Sequence, residues 1–321
     1  MQGRFMLYQL LKDAASRRRL KTVAMWLVVL PSLSACYLNI NIGDSDDDDT
    51  DTTLPAYWTP TPGTSWHIQL QNLDQLSIDA AIPVYEVDLF DGAAGSNSVI
   101  DRLKQQNKKV ICYFSAGTKE DWRDDASQLT DDALIPDGAL QDWPGETWLN
   151  IGDQTALENI IQPVIIARLD LARDAGCDAV DPDNIDAYTN TDETHGLISY
   201  ADQLSYNIWL AQEAHKRDLS IGLKNDLNQL DTLVTHFDFA VNEQCFAYNE
   251  CSVYENTFLS DEKAVFNLEY YQDGSDGEIS RYEFRNTACP YFRQTGIPVC
   301  GNRTIRLTGR IWWPVRKSGL A

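Results

Sequence analysis

The sequence predicts a single (β/α)8 TIM barrel, set behind an export signal and an acidic tether. Eight short apolar runs alternate with helix-length segments over about 250 residues, as a parallel sheet closed by crossover helices requires. Ionisable residues collect at the carboxyl ends of those runs, where barrels of this kind build their sites. A doubly wound open sheet is the alternative. It would want a Gly-x-Gly-x-x-Gly phosphate loop after an early run, and the sequence contains none.

The chain has 321 residues, 43% of them hydrophobic, enough to bury one large core. Its formal charge of −22 disfavours a nucleic-acid partner and favours an acidic surface or a cationic ligand. At the N-terminus, Arg17, Arg18, Arg19 and Lys21 precede an apolar run, Val23 to Leu33, too short for a comfortable spanning helix. The run ends Leu33-Ser-Ala-Cys36, which resembles a bacterial lipobox. Residues 1–35 are therefore expected to be a lipoprotein signal peptide and Cys36 the lipidated first residue of an exported, membrane-anchored protein. Between Asp44 and Asp51 all but two residues are Asp, so self-repulsion keeps 36–55 extended as a tether. A Ca²⁺ loop is discounted there, because the turn Gly and terminal Glu of such a loop are missing.

The expected strands are Trp66–Leu70, Val84–Leu89, Lys109–Ser115, Asp178–Pro182, Ser220–Lys224, Phe237–Asn242 and Ala264–Leu268, with a weaker eighth at Thr304–Leu307. The barrel is thus expected over 56–310, with 311–321 as a tail. Among the helices, Thr155-Ala-Leu-Glu158 predicts a capping box opening a helix to Ala175, with Pro163 as a kink or restart. Leu197, Ala201, Leu204, Ile208 and Ala211 predict one apolar face for a helix within His195–Asp218. The stretch from Ala116 to Asn150 exceeds a plain strand–helix turn. It carries Trp122, Trp143 and Trp148, which could stack on a sugar or simply pack.

Beyond Cys36 six cysteines remain, an even number in an exported chain. Cys245 with Cys251 and Cys289 with Cys300 are the local pairings. Cys112 and Cys177 sit in apolar strand contexts and are expected to be buried thiols. No cysteine spacing resembles a zinc site. His67, His195, His215 and His236 lack a ligand partner at i+4, so a metal mechanism is disfavoured and no cofactor is expected.

The stretch Asp178-Ala-Val-Asp-Pro-Asp-Asn-Ile-Asp-Ala-Tyr188 organises the rest. Proline cannot serve a central ladder, so the run should break at Pro182 and leave Asp181, Asp183 and Asp186 at a strand end. Carboxylates gathered there repel one another unless a cation, a ligand or a reaction compensates. The other run ends add Asp88 and Asp91, Ser115-Ala-Gly117, Lys224-Asn225-Asp226, Glu243, and Glu269-Tyr270. Two carboxylates on facing strands, with no Ser/His/Asp arrangement, point to glycoside hydrolysis, which needs one acid and one nucleophile or base.

The segments Val84-Tyr-Glu-Val-Asp-Leu-Phe90, Val110-Ile-Cys-Tyr-Phe-Ser-Ala-Gly117 and Gly176-Cys-Asp-Ala-Val-Asp-Pro-Asp-Asn184 carry a family resemblance. Gly222-Leu-Lys-Asn225 and Asn242-Glu-Gln-Cys-Phe246 continue it, with Tyr248 and Cys251. In this order, over Trp58 to Tyr270, the sequence resembles the polygalactosaminidase-type glycoside hydrolases of family 114. The resemblance implies a (β/α)8 barrel and retaining endo-cleavage of α-1,4-linked galactosamine polymers. It places the acidic pair at an Asp of Val-Asp-Pro-Asp-Asn and at Glu243. Asp183 is the favoured nucleophile, since its Pro-Asp-Asn setting resembles that of α-galactosidase-like barrels; Asp181 is the reserve. Asp88, Tyr113, Asp181, Lys224, Asn225 and Glu269 are the expected substrate-binding residues. A mouth lined by Asp88, Asp91, Asp181 and Glu269 would attract a cationic polysaccharide. After Cys300 the chain departs from the pattern: Thr304-Ile-Arg-Leu-Thr-Gly-Arg-Ile-Trp-Trp-Pro replaces a last strand ending in Lys-Asp or Lys-Asn. The alternatives are a non-catalytic lipoprotein that binds polysaccharide through the same acidic mouth, and an enzyme acting on a neutral α-glycan.

Overall fold

The computed structural model describes residues 57–272 and 279–298. The expected signal peptide, Cys36, the expected tether, Cys300, the expected strand Thr304–Leu307 and the expected tail lie outside the described residues. Within them, seven parallel strands form one sheet: β1 Trp66–Gln69, β2 Val84–Asp88, β3 Lys109–Ser115, β7 Ala179–Asp183, β8 Ser220–Lys224, β9 Phe239–Glu243 and β10 Val265–Leu268. Each pairs with its sequence neighbour in this set. The sheet curls almost fully round, a (β/α)8-type barrel. Trp66 on the first strand meets Phe266 on the last at 5.0 Å between ring centroids. The Trp66 indole N–H also donates to the Pro298 carbonyl at 3.1 Å, tying the seam to the C-terminal segment.

Side chains alternate across a strand, so every second residue faces the barrel axis. The floor of the interior is apolar: Trp66, Ile68, Val84, Ile111, Ala179, Phe239, Val241, Ala264 and Phe266 pack together there. The polar residues at the next inward positions are therefore lifted towards the mouth. A larger apolar core fills the space between the strands and the surrounding helices.

The break expected at Pro182 does not occur. β7 runs through it, with Phe114 of β3 as the in-register neighbour of Pro182. β7 pairs with β8 only at Ala179 and Val180, so the missing N–H of Pro182 falls where that ladder has already ended. The proline marks where one side of the strand opens rather than where the strand stops.

Two helix expectations shift. The helix before β7 is capped by Asp153, whose carboxylate accepts from the Thr155 and Ala156 amides. The Glu158 of the expected box instead accepts from the Gln154 side chain. A π-helical segment, Leu157–Ile161, runs without a break into a helix over Gln162–Ala175, and its wider turn just before Pro163 accommodates the missing donor without a restart. In the helix Tyr200–His215, capped reciprocally by Ser199 and Asp202, the face turned inward is Gln203, Tyr206, Asn207, Leu210, Ala211 and Ala214. Leu197 lies outside it and half exposed, and Ala201 faces solvent. The apolar periodicity misses this face because its polar members hold loops: the Tyr206 hydroxyl donates to the Ala116 carbonyl at 2.7 Å, and Asn207 donates to the Ile185 carbonyl at 2.9 Å.

The insertion after β3 is a three-stranded antiparallel sheet of β4 Thr118–Glu120, β5 Leu134–Ala139 and, between them, β6 Glu146–Leu149. Trp148 is buried and donates to Glu193 at 2.8 Å, and Trp143 packs on the main core. These two tryptophans are structural.

Cys112 and Cys177, expected as free thiols, are bonded to each other, with Cα atoms 6.0 Å apart. The Asp178 amide donates to the Val110 carbonyl at 2.8 Å, which draws the turn at Cys177 against the start of β3. Cys245 and Cys251 form the expected short-range bridge. Cys289 takes part in a disulfide as well, while Cys300 lies outside the described residues.

Candidate active site

At the carboxyl ends of β7, β8 and β9 the inward side chains are Asp183, Lys224 and Glu243. Lys224 is 7% exposed, and its ammonium stands 3.0 Å from Asp183 Oδ1, 3.8 Å from Glu243 Oε2 and 3.9 Å from Asp181 Oδ2. One cation thus reaches both expected catalytic carboxylates. The Tyr113 hydroxyl, inward on β3, donates to Asp183 Oδ2 at 2.8 Å, and the Asn184 amide donates to Oδ1 at 2.8 Å. Glu243 accepts from the Tyr270 hydroxyl on Oε1, and its own amide donates to Asn225 Oδ1 at 3.0 Å.

Just past each of these strands the backbone turns left-handed, at Asn184 (φ 61°), Asn225 and Asp226 (φ 48°) and Gln244 (φ 65°). Asn and Asp tolerate that region better than other side chains, so the two Asn-bearing ends suit it. Gly117 allows the nucleophile loop to be clasped from the side. A Cβ there would lie 1.7 Å from the Asn184 carbonyl oxygen. The Ala116 and Gly117 amides both donate to the Asp183 carbonyl, at 2.9 and 3.2 Å.

Electrostatics separate the acids. Burial alone would raise the Asp183 carboxyl, but the Lys224 charge and the hydrogen bonds from Lys224, Tyr113 and Asn184 hold it below the usual carboxylate range. Asp181, one inward position deeper, is pushed up to about 7, chiefly by burial against the opposing pull of Lys224. Burial and the Asp183 charge raise Asp186 to about 6. The Lys224 ammonium is held well above its ordinary value: burial works against it, but Asp183, Glu243 and Asp181 overcome that.

The structure brings Asp183, Glu243, Lys224, Tyr113, Asn225 and Asp181 together and gives two other expected residues different partners. Asp88 is gripped by the Arg123 guanidinium at 3.0 and 2.6 Å and caps the helix Leu89–Ala93 through the Asp91 amide. Glu269 accepts from the Phe246 amide at 2.7 Å, the Ala247 amide at 3.4 Å and the Asn267 side chain at 3.0 Å, pinning the loop after β9. Asp88, Asp181 and Glu269 are 3%, 0% and 1% exposed. The expected acidic mouth is therefore not made of these groups. Of the four acids expected to line it, Asp91 alone is exposed. The apposition of Cys245, Cys251 and Glu269 is the one metal-like grouping among the described residues, but its sulfurs are bonded to each other and its carboxylate is already occupied.

Sequence reasoning missed Glu86, Arg123, Glu146 and the bonding of Asp226. Glu86 carries a signal in hindsight, since it lies two residues before Asp88 and so on the same inward face. Arg123 lies in the irregular insertion and carried none. Asp226 accepts from Tyr188 at 2.8 Å and from Asn207 at 3.0 Å.

The family model for Glyco_hydro_114, glycoside hydrolase family GH114, matches residues 47–305. The chain belongs to glycoside hydrolase family 114. Among solved structures, Ega3 of Aspergillus fumigatus in complex with galactosamine is 39% identical, over 75% of this chain and 91% of that one, with a TM-score of 0.64. The glycoside hydrolase domain of PelA from Pseudomonas aeruginosa is a more distant match, 12% identical over 73% and 91%, with a TM-score of 0.49. No curated protein matches the sequence. Family 114 membership makes the chain a glycoside hydrolase, and the (β/α)8 barrel is the fold on which it works.

The buried acids of this family 114 barrel set a pH dependence of stability. Burial is the largest cause in each case: it lifts Glu146 to about 7, Asp226 to about 8 and Asp186 to about 6. A carboxyl raised on folding favours the folded state below its unfolded pKa and loses that advantage as pH climbs through the folded value. From about pH 4.5 to 8 the folded chain holds protons that the unfolded chain has released, so stability falls as pH rises. Thermal unfolding at pH 8 should come at least ~4 °C below that at pH 5. A midpoint that rises over this range would contradict these protonation states.

Proposed function

We propose that this glycoside hydrolase cleaves internal α-1,4 bonds of a galactosamine-containing polysaccharide with retention, Asp183 acting as nucleophile and Glu243 as acid/base. The observation that supports it best is the position of Lys224 between the two carboxylates. Contacts of 3.0 and 3.8 Å to one nitrogen keep their nearest oxygens within about 7 Å. A retaining pair of carboxyl groups stands about 5–5.5 Å apart and an inverting pair roughly 6.5–9.5 Å, so a pair this close favours the retaining reading.

The roles follow from the surroundings. Asp183 stays ionised through Lys224, Tyr113 and the Asn184 amide, with its side chain 21% exposed towards the mouth. Asp181 is fully buried and out of a sugar's reach, which favours Asp183 over it. Glu243 is 31% exposed and aimed by Tyr270. In the first step Glu243 gives its proton to the glycosidic oxygen while an Asp183 oxygen bonds to the anomeric carbon. The leaving chain departs with that proton, and a glycosyl ester remains. Negative charge thus passes from Asp183 to Glu243, both within reach of Lys224, so the cation serves either side of the step. Glu243 then takes a proton from water, whose oxygen attacks the anomeric carbon and frees Asp183. Asn225 positions Glu243, and Tyr113 and Lys224 hold the nucleophile. Asp88, Asp181 and Glu269 support the site from beneath and beside it.

The substrate class rests on Ega3, 39% identical and holding galactosamine, and on the charge of −22, which suits a cationic polymer. The test is a reducing-end assay on deacetylated and acetylated galactosamine polymers, with NMR of the first-formed anomer. New reducing ends of the α configuration are expected from the deacetylated polymer. Unchanged chain length in both polymers would leave a binder rather than a hydrolase of them, and a β product would overturn retention.

A further inference from the structure

Beneath the catalytic pair the barrel interior holds two more carboxyls, Glu86 on β2 and Asp181 on β7, both 0% exposed. None of their four oxygens accepts from an N–H or hydroxyl among the described residues, and the two carboxyls stand within hydrogen-bonding reach of each other. The register shows why Glu86 finds no such donor: its neighbours across the sheet are Ile68 on β1 and Ile111 on β3. On β8, Gly222 contributes no side chain at all, and a Cβ there would meet the Phe239 ring at 2.5 Å. Lys224 is the cation that faces the pair, 3.9 Å from Asp181 Oδ2, and it is shared with Asp183 and Glu243. A buried polar group with no partner is costly, and two adjacent buried carboxylates are costlier still. Nor do the carboxyl oxygens of this cluster gather closely enough, among the described residues, for three of them to share a metal ion.

We propose that Glu86 and Asp181 hold a single proton between them as one acid–carboxylate unit, and that the charge of this unit sets how far Lys224 is drawn down from Asp183. A proton between the two groups satisfies an oxygen on each and removes their repulsion. Burial, then the Asp181 charge, push Glu86 well above the usual carboxylate range, in keeping with this. The charged groups facing the unit are Lys224 on β8, Asp183 on β7 and Glu243 on β9. With one proton the unit carries a single negative charge, and Lys224 is left to serve Asp183. With none, a doubled charge draws the ammonium inward and the nucleophile loses a donor. With two, Lys224 loses a counter-charge and its position slackens. Glu86 and Asp181 are thus positioning residues. This role rests on Asp183 being the nucleophile, whereas the shared proton does not.

The experiment is carboxyl ¹³C NMR of the full chain labelled in glutamate, with kinetics on polymer alongside. The resonance that Glu86→Gln removes should keep a protonated-acid shift from about pH 5 to 8 and move when Asp181 becomes Asn. An amide can donate to an ionised Asp181 and preserves the single charge, so Glu86→Gln should keep kcat within ~3-fold. Asp181→Asn moves the single charge to Glu86, away from the oxygen 3.9 Å from Lys224, and should lower kcat ~10-fold or more with KM little changed. A Glu86 resonance already ionised at about pH 6, or one indifferent to Asp181→Asn, overturns the proposal. Should Glu86→Gln not fold, the wild-type titration still decides, since a glutamate carboxyl that stays protonated to about pH 8 must then be present or absent. A wild-type chain that cleaves neither polymer refutes the proposed function and leaves the NMR result standing.

Discussion

Asp183→Asn and Glu243→Gln should each leave a folded barrel that binds polymer but cleaves it at least ~10²-fold more slowly. The two losses should differ in kind. Without Asp183 no oxygen is placed to form the glycosyl ester, so a better leaving group does not help. Without the Glu243 proton an aryl glycoside with an acidic phenol can still depart, and much of the first step should return. Both side chains are partly open to the mouth and each replacement keeps shape, so both variants should fold, Asp183→Asn with the larger loss of stability because it removes the nearest counter-charge of Lys224. Circular dichroism and polymer co-sedimentation would establish folding and binding, and reducing-end release would give the rates. Near-wild-type turnover in either variant removes that residue from the chemistry.

Lys224→Met should be the most damaging single change at the site. Its ammonium is the shared counter-charge for Asp183, Glu243 and Asp181. Methionine fills similar volume but leaves those acids facing one another in a largely buried setting. Removing one partner of a buried ion pair typically costs about 3–5 kcal/mol, because the other charge is stranded. The acids would take up protons in response, and Asp183 would no longer be held ionised. Activity at neutral pH should therefore fall at least ~10²-fold, and what remains should move to higher pH as Asp183 titrates later. Denaturant unfolding should show the stability loss above about pH 6 and a smaller one near pH 4, where the acids are neutral. An unchanged pH profile would mean that Lys224 does not control the nucleophile.

Much of this was legible in the sequence, for reasons that particular residues make plain. The strands could be placed because runs such as Val110-Ile-Cys-Tyr-Phe-Ser115 are apolar or β-branched and end in ionisable groups. Asp183, Lys224 and Glu243 could be found because strand ends are where a barrel exposes side chains. What the sequence hid was pairing across the fold. Nothing local says that Cys112 meets Cys177, or that Arg123 neutralises Asp88 and so closes an expected binding acid to a ligand. Pro182 was misjudged because a proline's compatibility with a strand depends on whether the neighbouring ladder reaches it. Asn207 and Gln203 broke the helical pattern because a buried face may be polar when loop carbonyls and side chains satisfy it. The resemblance carried the catalytic pair; packing and register supplied the rest.

The join between the inserted sheet and the nucleophile loop bears on how this scaffold can diversify. The first residues of the insertion are bound to the barrel on several sides: Ser115 O by Arg168, Ala116 O by Tyr206, and Asp183 O by the Ala116 and Gly117 amides. Leu149, at the far end of the insertion, returns its amide to the Gly117 carbonyl at 2.9 Å. The root of the insertion is thus part of the nucleophile's own support, and Arg123 and Asp125 belong to that support through Asp88 and Arg168, which leaves the arc beyond them as the outer part. A lineage, or a designer seeking a new sugar preference, can lengthen or exchange the outer arc while keeping its two roots. A graft cut at Ser115 would transplant the inserted sheet and unseat the carboxylate beside it.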